Sequence, residues 1–91
     1  MLIRQAITTK FLPDTNSKPS RVKATAEAGS VTLSWGNAGI EDNHAAAAQA
    51  LAAKFGWHGH YYQAALPGGG YCFVCVDQRD TAPVFTIEVQ P

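Results

Sequence analysis

Polar and apolar residues alternate from the start of the chain. Across residues 2–11, Ile3, Ile7 and Phe11 fall on one face and Arg4, Ala6, Thr8 and Lys10 on the other. With β-branched residues frequent, that pattern predicts a strand. Pro13 and Pro19 bracket Asp-Thr-Asn-Ser-Lys, whose short polar side chains favour turns, so a loop of about eight residues is expected. Alternation then resumes, with Val22, Ala24 and Ala26 opposite Arg21, Lys23, Thr25 and Glu27. After the turn Ala28-Gly29-Ser30, the segment 31–35 predicts a third strand with Val31, Leu33 and Trp35 inward. The simplest arrangement of the three is an antiparallel meander.

The period changes after Gly36–Gly39. Ala45, Ala48, Leu51, Ala52 and Phe55 recur at helical spacing and form one apolar stripe. Asp42 or Asn43 is placed to cap this helix, and Gly56 to stop it just beyond Phe55. Glu41 and Asp42 complement the positive end of its dipole and Lys54 the negative end. Alanine dominates the stripe, so the helix can approach a sheet closely. Residues 60–66 and 71–76 then read as two strands joined by the Pro67-Gly-Gly-Gly turn. A polar loop covers 77–83, and 84–89 is a last strand with Phe85, Ile87 and Val89 on one face. The expected fold is α+β. It is a single domain over 1–91, with a curved antiparallel sheet of five to six strands (β-β-β-α-β-β-β) packed on one alanine-rich helix.

Composition permits such a core: 91 residues with 46% hydrophobic content can fold without staples. No leader-like segment or spanning run of about 18 apolar residues occurs, so a soluble cytoplasmic protein is expected, with no membrane partner. The charge is more informative. The formal net charge is zero, yet residues 1–23 hold five of the seven Lys and Arg against Asp14 alone, a net of +4. Residues 24–91 hold Lys54 and Arg79 against six carboxylates, a net of −4. Such a split hints at an electrostatic binding face, or at two patches that attract each other within the fold or between copies.

Candidate chemistry thins out on inspection. Cys72 and Cys75 have the C-x-x-C spacing, but both lie in an extended run where residues three apart point to opposite faces. They are expected to be small core residues, not zinc ligands on a knuckle or a redox pair at a helix N-terminus. His58 and His60 would share a strand face only if that strand begins early. His44, beside Asp42 and Asn43, is expected at the surface or in a capping role. The glycines 68–70 lead from a turn into a strand, whereas phosphate-cradling loops lead into a helix. No nucleophile motif or paired carboxylate is present. The expectation is a non-enzymatic protein with no catalytic residues, no metal site and no cofactor.

The first two strands remain. If they pair antiparallel, Arg4, Thr8 and Lys10 share a face with Arg21, Lys23 and Thr25, while Ile3, Ile7, Val22 and Ala24 face the helix. The loop 13–20, with Asn16 and Lys18, overhangs one end. Arg4, Thr8, Lys10, Asn16, Lys18, Arg21 and Lys23 are therefore the candidate binding residues. Such a face suits an acidic protein surface or nucleic-acid phosphates, and an ordinary solvated sheet face would look similar. No stacking aromatic lies on it, which favours protein over nucleic acid.

Residues 8–24, TTKFLPDTNSKPSRVKA, resemble a family of short uncharacterised proteins of phage, plasmid and other mobile-element genomes. Their pattern is T-T-K-[YF]-L-x-x-T-N-x-x-x-S-R-[IV]-K-A. Thr8, Thr9, Lys10, Thr15, Asn16, Ser20, Arg21 and Lys23 match it. The alanine-rich segment with His44 and Leu51, followed by Lys54-Phe55-Gly56-Trp57, is similar to the family's later part. Pro19 stands where relatives often have glycine, which stiffens the loop exit. The resemblance implies a mobile-element setting like that of anti-CRISPR and other anti-defence inhibitors. The expected function is binding of a host protein or ribonucleoprotein complex through the basic strand face. One alternative is direct nucleic-acid binding with weak sequence preference. Another is a homodimer in which the acidic segment 77–88 meets the basic face of a second copy.

Overall fold

The structure, a computed structural model, describes residues 6–76 and 84–87. Its elements follow the expected order. Strands β1 (Ile7–Leu12), β2 (Arg21–Ala26) and β3 (Gly29–Ser34) precede helix α1 (Ile40–Phe55), and β4 (Gly59–Ala65), β5 (Tyr71–Val76) and β6 (Phe85–Ile87) follow it. All strand pairs are antiparallel, in the order β3-β2-β1-β5-β4-β6. The first three strands form the expected meander, and the β4–β5 hairpin docks on the far side of β1. Strands β3 and β6, at opposite edges of the sheet, both contact α1, so the sheet curls around the helix into a half-barrel.

The core lies in that curl. Ile7, Val22, Leu51, Tyr61, Phe73 and Cys75 are buried, together with Ala24, Ala26, Ala47, Ala48 and Ala52. Small side chains on both α1 and β2 let helix and sheet approach closely, while Tyr61 and Phe73 supply the bulk. Phe85 stacks on the Tyr61 ring at 4.6 Å and lies 6.0 Å from that of Phe73, closing the β6 side. The expected inward positions Ile7, Val22 and Ala24 belong to this core. Val31, Leu33 and Trp35 pack against it while half-buried, with β3 ending at Ser34, one residue short of Trp35. Ile3, Arg4, Val89 and the acidic segment beyond Val76 lie outside the described residues, apart from 84–87.

The helix start needs correction. α1 begins at Ile40, with Gly39 at the N-cap and no side-chain cap bond. Neither Asp42 nor Asn43 caps it. Asn43 is instead buried in the first turn, where its amide holds the preceding loop. Oδ1 accepts from Gly36 N–H at 2.8 Å, and Nδ2 donates to the carbonyls of Ala38 (2.9 Å) and Gly39 (3.0 Å). The buried stripe is correspondingly broader than expected, taking in Asn43, His44 and Ala47 beside Ala48, Leu51 and Ala52. Ala45 and Phe55 are only partly buried. At the other end Gly56 sits in the left-handed region (φ 66°), and the N–H groups of Gly56 and Trp57 close the helix on Ala53 and Ala52.

Candidate functional site

The antiparallel register places the basic residues. Thr8 lies opposite Thr25, Lys10 opposite Lys23, and Leu12 opposite Arg21. On the next strand Ser30, Thr32 and Ser34 continue the same three rows. Since Val22, Ala24, Ile7 and Thr9 point into the core, the alternate residues share the outer face. Thr8 and Lys10 are exposed, and Arg21 and Lys23 half-buried. The face is thus a field of hydroxyls with three cations in it. Asn16 and Lys18 are exposed in the loop leaving its Leu12–Arg21 end. That loop is closed on itself by Thr15 N–H donating to the Lys18 carbonyl at 2.8 Å and Lys18 N–H donating to Thr15 Oγ1 at 3.2 Å, and the Ser20 carbonyl accepts from Trp35 N–H at 3.0 Å. Arg21 Nε donates to the Pro19 carbonyl at 3.2 Å, which anchors the guanidinium to the loop exit.

Lys10 and Lys23 are the distinctive pair. Directly opposed residues of antiparallel strands hold their Cβ atoms roughly 5 Å apart, and like charges there destabilise the sheet. No carboxylate forms an ion pair with either lysine among the described residues. Among the described residues the repulsion is therefore uncompensated. Replacing Lys23 by Thr should raise unfolding stability by about 0.2–1 kcal/mol, an increase that shrinks at about 1 M salt. Thermal melts at low and high salt read this directly; a loss of stability at low salt would mean that the pair is not in conflict.

The two lysines face a cleft of about 510 Å³. Its floor is Thr8, Lys10, Lys23 and Thr25, and its wall is the β4–β5 turn with Leu66, Pro67, Gly68 and Gly70. The turn is closed by Leu66 N–H donating to the Gly70 carbonyl at 2.8 Å, and Gly68 and Gly69 adopt positive φ (90° and 96°). Gly70 lies directly against β1: a Cβ there would come within 2.4 Å of the Thr9 carbonyl oxygen. The glycine run, which no phosphate-loop reading fits, thus builds one wall of the cleft beside the basic strands. The sequence held no cue for that juxtaposition, because it depends on β5 pairing with β1.

The inner side holds a second departure. His44 is not at the surface. It is 1% exposed, and its Nδ1 lies 2.7 Å from Thr9 Oγ1, itself 2% exposed. Thr9 Oγ1 also lies 3.4 Å from the Tyr71 carbonyl, to which it can donate. The imidazole sits edge-on between the rings of Trp35 (5.7 Å) and Tyr71 (4.8 Å). Burial pushes its pKa below the usual 6.5. A hydroxyl within reach of an imidazole is the first half of a nucleophile–base pair. Here the hydroxyl is turned into the core, and no carboxylate orients the ring among the described residues. The pair locks α1 to β1. Next to it Phe11 (43% exposed) packs edge-on against Trp35 at 4.7 Å, and with Ile40 and Gly69 they line an open hollow of about 340 Å³. Phe11 keeps its expected face but sits at the rim of the core.

Of the two cysteines expected in the core, only Cys75 joins it. Cys75 is buried and its thiol donates to the His58 carbonyl at 3.4 Å, while Cys72 lies half-buried on the opposite face. β4 begins at Gly59, so His58 is not on a strand with His60, whose Nδ1 lies 3.0 Å from Thr86 Oγ1. Among the described residues no group of three or more His, Cys, Asp or Glu is placed to hold a metal ion. No helix among them is long and apolar enough to cross a membrane. Compared with protein-family descriptions, curated proteins and solved structures, the chain matches none of them.

Proposed function

We propose that this chain is a non-enzymatic binding protein whose working surface is the cationic outer face of β1 and β2, directed at an anionic host complex. The observation that carries this is the cross-strand Lys10–Lys23 pair at the cleft, which meets no carboxylate among the described residues. A solvated face gains nothing from opposing two ammonium groups, whereas a face that meets an anion recovers the repulsion on binding. Arg21 beside Lys23, and Lys18 in the adjoining loop, widen the positive field and steer encounter. The resemblance of residues 8–24 to short phage and mobile-element proteins supplies the setting: an inhibitor of the anti-defence kind, acting in the host cytoplasm on a protein or ribonucleoprotein.

The pattern behind that resemblance also makes sense on this fold. Thr8, Lys10, Arg21 and Lys23 occupy the outer face, and Thr9 is the inward partner of His44. Capture from host lysate with and without nuclease tests the class of partner. A host complex retained after nuclease treatment supports the proposal. Recovery of nuclease-sensitive nucleic acid with no host protein enriched beside it assigns the face to direct nucleic-acid binding, and capture of nothing but the chain itself assigns it to self-association.

A further inference from the structure

The geometry points to a discrete ligand site within that face: we infer that the cleft between β1–β2 and the 66–70 turn seats a phosphate ester. The inference rests on the reading of this face as a working surface and adds the chemistry of contact. Two lysines in one cross-strand pair direct two point charges at one volume. The next row adds the hydroxyls of Thr8 and Thr25, of which Thr8 Oγ1 makes only a long 3.5 Å bond to the Thr25 carbonyl that a phosphate oxygen can replace. Ammonium groups with neutral hydroxyl donors suit phosphate oxygens, which need no planar fork. A carboxylate is best held by an arginine in bidentate fashion, and the nearby Arg21 directs its Nε to the Pro19 carbonyl at the loop exit. Arg21 does not line the cleft.

Size narrows the ligand further. At about 510 Å³ the cleft falls in the roughly 300–1,000 Å³ range of small-molecule sites and exceeds what inorganic phosphate fills. Leu66 and Pro67 give an apolar ledge beside the cations, fit for the uncharged part of a nucleotide. Gly68 adds no side chain to this wall. A nucleoside monophosphate and one unit of a nucleic-acid strand share this chemistry, and the experiment separates them.

Amide shifts of the isotopically labelled chain would be followed by NMR during titration with adenosine 5′-monophosphate, adenosine, inorganic phosphate and a single-stranded hexanucleotide at ~50 mM salt. The monophosphate is expected to move amides of residues 8–10, 23–25 and 66–70, and adenosine to move none of them. Lys10→Gln should weaken binding by about tenfold, while Lys54→Gln, equal in charge change but exposed in the last turn of α1 and outside the cleft, should change it less than about twofold. Both variants keep exposed or half-exposed sites polar, and their folded spectra serve as the control. Shifts confined to these residues with the hexanucleotide alone would identify a strand phosphate as the source. Absence of shifts with every phosphate probe, or equal weakening by both variants, would overturn the site. Loss of partner capture on charge reversal with no phosphate binding would leave the cationic surface standing without it. Phosphate binding with unchanged partner capture would do the reverse.

Discussion

Gly70→Ala is expected to be among the most damaging single-methyl additions in the chain, costing about 3 kcal/mol. The added carbon would meet the Thr9 carbonyl oxygen at 2.4 Å. That neighbour is backbone, so no side-chain rotation relieves the clash; strand β1 or β5 must move. The β1–β5 ladder consists of Ile7↔Phe73, Thr8↔Cys72 and Thr9↔Tyr71, and Gly70 immediately precedes its last pair. Parting them loosens the joint between the meander and the hairpin. For a domain of this size each kcal/mol corresponds to roughly 4–8 °C in Tm. Gly68→Ala gives the contrast, because its Cβ would meet no atom within 4 Å, although φ is +90°. Its cost should be the backbone term alone, about 1–2 kcal/mol. Equal losses in the two variants would show that the close approach of Gly70 to β1 is not a constraint.

The second large effect concerns His44. Its removal by alanine takes away the ring between Trp35 and Tyr71 and strips Thr9 Oγ1 of its 2.7 Å partner, with an expected loss of about 2–4 kcal/mol. The pH dependence follows from burial. At pH 8 the imidazole is neutral in both folded and unfolded chains. As pH falls below about 6.5 the unfolded chain takes up a proton that the folded chain, with its lowered pKa, refuses. The unfolded state then binds more protons, so stability declines across the window from 6.5 down to the lowered folded value. Below that value this group adds no further change. Thr9 does not prevent protonation, since its hydroxyl can donate to the Tyr71 carbonyl and accept from Nδ1–H. The resistance comes from lost hydration. Urea unfolding at pH 5.5, 6.5 and 7.5 should show this slope in the native chain and lose it in His44→Gln. The same slope in the variant would place the titration elsewhere.

Much of the fold was legible because period and punctuation agree in this chain. Val22, Ala24 and Ala26 alternate cleanly, the β4–β5 turn carries three glycines, and Gly56 stops an alanine-rich helix, so element order and the curled α+β architecture follow. The outer-face placement of Thr8, Lys10, Arg21 and Lys23 also follows, because one alternation determines which residues oppose each other once the strands pair. What stayed hidden depends on contacts between distant segments. His44 looks like a surface residue beside Asp42 and Asn43, yet it sits where α1 meets Thr9, 35 residues earlier. Asn43 was legible as polar and as close to a helix start, but its role as a buried brace depends on where the 36–39 loop turns. The cleft was illegible for the same reason: residues 8–25 and 66–70 share a boundary only through the β1–β5 pairing.

Charge reversal on the outer face tests the central claim most directly. The double variant Arg21→Glu, Lys23→Glu replaces two half-buried cations on the β2 outer face and leaves the core residues Val22 and Ala24 in place. It also turns the Lys10–Lys23 repulsion into an attraction, so its melting temperature should stay within a few degrees of the native chain's. Partner capture from host lysate, measured alongside that melt, should be abolished. Undiminished capture by a variant that melts normally would contradict the assignment of this face as the working surface.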